Sequence, residues 1–410
     1  MKIFDRLKAA YKALKIATNP EQLEEMIRGV YGGGPTESGE SVTPTRAMQQ
    51  AAVFTCVRVL GESVAQLPFN LYRSRDDGGS DKMTTHPLYR LLHYQPNEWQ
   101  TSFEFREYLM ACLNLRGNFY AFKNYVGSGR NRKIAELLPL HPDTVTVVQD
   151  EKRNILYEVQ IPNAAKQTVP QKNMLHIKGL SLDGVAGVSP IRYQREAIGL
   201  AMAAEKHGAR VFKNGARPSV ILKHPGSLTD EAAQRLKNNW ETAYGGENVG
   251  KTAVLENGMG VETISMTNED AQYLETRKFQ RSEIAGIYRV PAHLVNDLEK
   301  ATFSNIEHQS VNFVVHSLNP WLVRIEQAIW RDLLTPEEQA EGYYTRFNVD
   351  GLLRGDSKSR AEALKIQREN GIINANEWRA LENMNPIDGG DVYLTPLNMR
   401  QNGVDPNEED

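Results

Sequence analysis

Two hydrophobic rhythms divide this chain. Apolar residues recur at helical spacing in some stretches and crowd into short strand-like runs in others. Val53, Val57, Leu60 and Val64 form one stripe of a helix that Thr43 can cap and Pro44 can open. The stripe stops before Leu67-Pro68. The pattern then predicts a strand over residues 69–72, a turn at 76–80 and a short helix over 86–93. A second long helix, residues 102–115, carries Phe105, Leu109, Cys112 and Leu113 on one face and ends at Gly117-Asn118. Residues 119–126 and 134–140 predict strands around a Gly/Arg turn, and 144–148 with 155–161 predict a further hairpin. This first part is mixed α+β.

The middle of the chain has a different order. A long helix is predicted over 189–212, with Pro190 in its first turn. A strand at 220–222, a helix capped by Ser227 and running to 244, and strands at 252–255 and 261–265 come next. A second long helix covers 268–290, and Pro291 ends it. A small α/β unit therefore stands between two long helices. After a loop at 292–304, a helix over 305–334 has the stripe Leu318, Leu322, Ile325 and Ile329, and Pro320 should kink it about one turn upstream. Two short helices are predicted over 357–382, with Asn374 and Glu377 at capping-box spacing. Residues 32–43, rich in Gly and Ser, predict a flexible arm, and the acidic tail 401–410 predicts disorder.

Composition narrows the function. With 410 residues, 40% of them apolar, the chain can bury a sizeable core. A net charge of −3 gives no global basic field, which argues against a tight, static DNA binder. It leaves open a protein that DNA slides past, where strong phosphate contacts would act as a brake. Cys56 and Cys112 lie in apolar helical stretches and predict buried free thiols, not a disulfide framework or a cysteine zinc site. Residues 1–16 are basic and amphipathic but lack a signal-peptide core. No apolar run approaches the roughly 20 residues of a membrane span. The expected setting is a cytosol, with no membrane partner.

One motif points to chemistry. Gly245 to Thr252 fits G-x-x-x-x-G-K-[ST], the phosphate-loop pattern. That loop works after a strand and before a helix, where helix-start amides cradle phosphate. Here a helix precedes and a strand follows, so a Gly-rich connection is the better reading. The nine histidines are scattered without metal-site spacing, and Glu269 and Asp270 sit where acids complement a helix dipole. No catalytic, cofactor or metal residue is assigned. Residues 268–290 interleave both signs of charge, as a solvated helix does and as one wall of an aqueous channel would.

Taken together these segments resemble the portal proteins of tailed phages, in the branch with long non-contractile tails. The resemblance runs from about residue 40 to 398. It is carried by residues 52–73, 86–97, 109–122, 138–147, 176–191, 212–222, 283–295, 303–329 and 370–391, in family order. It implies an α+β, portal-type subunit: a flexible N-terminal arm (1–39), an α/β wing (40–188 and 305–350), a two-helix stem (189–212 and 268–291), a small α/β clip (213–267), a tunnel loop (292–304), a short helical crown (351–398) and a disordered tail (399–410). It implies a closed ring of about twelve copies at one capsid vertex of a virion, built by head-to-tail contacts. Double-stranded DNA would pass through the ring. The terminase large subunit, a head–tail adaptor, and major capsid and scaffold proteins would be partners. Residues placed near DNA by the resemblance are Asp297, Leu298, Glu299, Lys300, Ala301 and Thr302 in the loop, with Arg277, Lys278 and Arg281 as channel-wall candidates. Two other readings are a phosphate-loop NTPase resting on Lys251 and a shorter type of virion ring component such as an adaptor.

The element order makes a direct prediction. The purified protein should not bind ATP, and Lys251→Ala should leave nucleotide binding at the same baseline. Binding that the substitution abolishes would reverse this reading.

Overall fold

The stripe Val53, Val57, Leu60 and Val64 sets the centre of the molecule, each of the four at most 4% exposed. The computed structural model describes residues 36–127, 129, 132–161, 165–213, 220–224, 226–244, 258–263, 269–297, 309–349, 357–382 and 384–394. The stripe lies on α2 (Ala51–Ala65), which packs along α4 (Ser102–Arg116). Sequence reasoning had run α2 back to Thr43. Instead Thr43 caps a separate short helix, α1 (Pro44–Ala47), and the Gln50 side chain accepts from the Val53 amide to open α2. Two end signals lie close together, and each stops or starts its own helix. Arg106 of α4 reaches across to the end of α2 and donates to the Ala65 carbonyl at 2.7 Å.

Part of the predicted flexible arm is ordered, and its residues before 36 lie outside the described residues. Residues 36–43 belong to the fold: Thr36 and Glu40 are buried, and the Thr36 amide donates to the Glu40 carbonyl. Glu40 accepts from Lys206 Nζ at 2.6 and 2.7 Å and from Arg46 at 3.2 Å. Polar composition suggests a mobile segment, but the ion pairs of Glu40 tie residues 36–43 down.

Three small antiparallel sheets surround the helices. The first has the order β11 (Tyr343–Phe347), β1 (Phe69–Ser74), β2 (Ser80–Lys82), so a strand from late in the chain closes on one from its start. Phe69 stacks on Phe347 across that pair, with ring centroids 4.1 Å apart. The second has the order β4 (Lys133–Leu140), β3 (Asn118–Val126), β8 (Met174–Lys178), and the third the order β5 (Val145–Gln149), β6 (Ile155–Val159), β7 (Gln167–Pro170). Helix α3 (Pro87–His93) is opened by the side chain of His86.

α4 ends as its sequence predicts. Gly117 has φ +75, and a Cβ built there would lie 2.0 Å from the Val188 carbonyl oxygen, so both conformation and space require glycine. Strand β3 starts at the next residue.

β8 is an edge strand, yet several backbone groups along its outer edge are occupied. They meet side chains of α9 (Asn319–Leu333). Asp332 accepts from the His176 amide, Arg331 donates to the His176 carbonyl, and Arg324 donates to the carbonyls of Lys178 and Gly179, at 2.8 to 3.2 Å. The His176 ring joins the second and third sheets. Nδ1 lies 3.2 Å from the Tyr157 hydroxyl and Nε2 lies 3.0 Å from Asn118 Oδ1, which also accepts from the Gly187 amide. A neutral ring with its proton on Nε2 satisfies both contacts.

Upstream of α9 the helix is distorted where Pro320 predicted a kink. Phe313–Leu318 is π-helical, and the Asn319 amide donates five residues back, to Val314. Proline has no amide to offer the carbonyl four residues before it, so the ladder widens there.

The outer α/β unit is built from β9 (Val220–Lys223) paired antiparallel with β10 (Gly260–Thr263), plus α7 (Asp230–Tyr244). α7 starts two residues later than predicted: the Thr229 hydroxyl, not Ser227, accepts from the Ala232 amide. The predicted strand at 252–255 lies outside the described residues. α10 (Pro336–Ala340), α11 (Ser357–Glu369) and α12 (Ala375–Leu381) complete the chain, and α12 opens with the predicted Asn374–Glu377 capping box. Both cysteines are buried free thiols, and burial pushes each up to about 12.

The His176 contacts give a pH prediction. Burial, aided by Lys178 and Arg331, lowers its folded pKa to about 3, against 6.5 for the free side chain. The unfolded chain therefore binds the extra proton first, and stability falls as pH drops below 6.5. At about 1.36 kcal/mol per pH unit, wild type should lose about 2.5 kcal/mol more between pH 7 and pH 4.5 than His176→Gln. Urea unfolding at the two pH values measures the difference.

Candidate functional site

The candidate site is the helix pair that brackets the outer unit. α6 (Arg195–Lys213) follows a short helix, α5 (Pro190–Tyr193), with a break at Gln194 where one continuous helix was predicted. Ser189 caps α5 through the Arg192 amide. α8 (Glu269–Tyr288) has the predicted extent within two residues at each end. The two helices run alongside each other.

Their inner halves are apolar and embedded. Ile198, Ala201 and Met202 of α6, with Ile284, Ala285 and Tyr288 of α8, join the same core cluster as the α2 stripe. Farther out the contacts are polar. The Tyr273 hydroxyl donates to the Ala204 carbonyl at 2.9 Å, and Arg277 Nη2 lies 2.8 Å from Glu205 Oε1. Gly208 makes room for the tyrosine, since a Cβ there would lie 2.0 Å from the phenol oxygen. Tyr273 and Arg277 are four residues apart and share the face turned to α6. Between these levels Gln280 is buried, and its amide nitrogen has no partner among the described residues.

The predicted channel-wall residues separate on this frame. Arg277 is paired with Glu205 across the helices and is not a free cation. Lys278 and Arg281 are exposed, as is Phe279 at 68%. Sequence alone did not find Glu205, Gly208 and Tyr273. The i, i+4 spacing of Tyr273 and Arg277 was visible, but their partners lie about 70 positions away in the chain.

The loop after α8 starts under constraint. Arg289 and Asn296, neither of them glycine, adopt positive φ of 55° and 61°, on either side of a 3-10 turn, Ala292–Val295. Asp297 turns back toward α8, with Ser282 Oγ 3.4 Å from Oδ2. His293 Nδ1 lies 2.8 Å from Gln309 Oε1, so the loop start is tied to the helix that follows. Ser317, in the π-helical stretch, donates to the Arg289 carbonyl at 2.5 Å. Of the loop residues predicted near DNA, Asp297 is described. Leu298, Glu299, Lys300, Ala301 and Thr302 lie outside the described residues, as does the Gly245–Thr252 motif. Among the described residues, no group of three or more His, Cys, Asp or Glu is placed to hold a metal ion, and no helix is long and apolar enough to cross a membrane.

The helix pairing is testable by a double-mutant cycle. Gly208→Ala should be neutral or destabilising in wild type, because its methyl displaces the Tyr273 hydroxyl. In a Tyr273→Ala background it should stabilise by up to about 1 kcal/mol through helix propensity. Thermal unfolding of the four proteins reads the coupling.

Residues 51–383 match the family described as "Phage portal protein". The chain is 36% identical over 390 residues to the "Probable portal protein" of Streptomyces phage phiC31, covering 91% of this chain and 83% of that one. It is 34% identical over 358 residues to the "Portal protein" of Enterobacteria phage HK97, covering 86% and 83%. Among solved structures, a chain from the neck of a native gene transfer agent particle, obtained with C12 symmetry, superposes with a TM-score of 0.57 at 22% identity, covering 88% of this chain and 99% of that one.

Proposed function

The chain belongs to the phage portal protein family, and from that premise we propose that it is a structural ring subunit of a virion, the conduit for DNA at one capsid vertex, and not an enzyme. About twelve copies close head to tail, as a constant rotation between neighbours allows. The single observation that carries this reading is the helix pair. α6 and α8 are rooted in one core and held together farther out by Tyr273, Gly208 and the Arg277–Glu205 pair, with a small α/β unit at their far end. Copies of such a pair set side by side enclose a pore.

On this reading residues 189–212 and 268–291 are the stem, 213–267 the clip, 40–188 with 305–350 the wing, and 351–398 the crown. The clip meets the terminase large subunit during packaging and the head–tail adaptor afterward. The wing and crown face the capsid, where major capsid and scaffold proteins are the partners. Double-stranded DNA passes the loop at 292–304, whose residues 297–302 are the nearest to it. Lys278 and Arg281, exposed on α8, face the lumen or the neighbouring copy. Arg277 is exposed on the same helix, and its charge is partly offset by its pairing with Glu205. A wall whose cations are partly neutralised suits a passage that must not grip a polyanion.

The test is Lys300→Glu. Rings should form as in wild type, seen by electron microscopy, while packaging slows or DNA retention weakens. Normal packaging and infectivity would remove the loop from the mechanism. Absence of rings in wild-type protein and in purified particles would remove the portal reading itself.

A further inference from the structure

A cleft of about 580 Å³ opens between the β3–β4 hairpin, the turn before β8, the end of α9 and the start of α10. Its charge departs from that of the chain. Lys123, Arg132, Lys133, Lys172 and Arg331 line it, against the two carboxylates Asp332 and Glu338. Both acids are already engaged. Asp332 pairs with Arg331 at 2.7 Å and accepts from the His176 amide. Glu338 lies 2.8 Å from His86 Nε2 and accepts from the Thr335 amide at 2.7 Å. Removing Arg331 with its partner leaves four cations facing the opening.

The floor of the cleft is Lys123, only 3% exposed. Its ammonium donates to the main-chain carbonyl of Asp332, its one hydrogen-bond acceptor among the described residues. An ammonium carries three donors, so two have no protein acceptor there. Burial lowers its pKa to about 8. Asp332 opposes that shift, and Arg132 and Arg331 add to it. At the rim Arg132 is held over the Tyr125 ring, 3.8 Å from its centroid, and Lys133 and Lys172 are exposed. Leu88, Ile134, Leu333 and Pro336 supply apolar walls.

We propose that this cleft binds an acidic peptide segment of another protein, a Glu or Asp carboxylate reaching Lys123 while an adjacent aliphatic side chain lies against Ile134 and Pro336. The recess selects the class of ligand. A carboxylate on a flexible side chain can enter the cleft and reach a buried ammonium. The phosphates of a stiff, convex duplex stop at the rim, on Arg132, Lys133 and Lys172. The proposal goes beyond the portal reading and stands without it, because nothing in the cleft belongs to the paired helices or the loop.

The experiment uses the full chain, a short fluorescent peptide of Glu and Leu, and anisotropy at low salt. Arg132→Ala with Lys172→Ala, both on exposed side chains, should weaken binding by about tenfold with unchanged thermal unfolding. Lys123→Met, which keeps the buried aliphatic stem, should weaken it by a similar factor. The matched peptide of Gln and Leu should not bind. Equal affinity in wild type and the Arg132/Lys172 variant would overturn the proposal. So would duplex DNA that binds more tightly than the peptide and is lost in the same variants, or inorganic phosphate that displaces the peptide at equal concentration.

Discussion

The place of the outer α/β unit depends on how the helix pair is rooted. α6 and α8 leave the body, and the contacts described between their outer halves are polar. Their direction is therefore set at the base, by Ile198, Ala201 and Met202 against Ile284, Ala285 and Tyr288. Apolar burial there fixes two helices at once, since both belong to the cluster built on the α2 stripe. Beyond that level, alignment passes to directional contacts: a phenol on a carbonyl, a glycine that admits the phenol, and one ion pair. The ion pair is partly exposed and contributes little to stability by itself. It fixes which faces of the helices meet, and so which residues remain to face outward.

The loop that follows α8 is constrained at its root. Two non-glycine residues at positive φ, the His293–Gln309 contact and the Ser317–Arg289 bond all fall within one short region. The π-helical stretch sits beside them. Backbone conformations of this kind persist where the surrounding packing over-determines them. The loop therefore departs from a fixed platform, and Pro320 is the sequence feature that shapes one side of it.

Much of this was legible in the sequence because the signals were local. The α2 stripe, the Gly117 stop, the Asn374–Glu377 box and the two long helices around a small α/β unit all follow from spacing within one element. The errors arose where two local signals competed. Thr43-Pro44 opened a helix, but Gln50 opened the next one. Ser227 offered a cap, but Thr229 made it. Pro190 began a helix that Gln194 then broke. The strand β8 was missed, because Met174 to Lys178 is short and continuously buried, without the alternation that marks a strand. At the site, exposed Lys278 and Arg281 could be named from charge alone. The engagement of Arg277 could not, since Glu205 is brought to it only by the tertiary fold.

The side chains laid along β8 have a consequence for assembly. An open strand edge on a molecule that crowds beside identical copies is a template: a foreign strand can add to it, and the sheet can grow from one molecule into the next. Here Asp332, Arg331 and Arg324 occupy the outward amide and carbonyls before any neighbour arrives. Sheet growth from one molecule into the next has little foothold along this stretch of the edge.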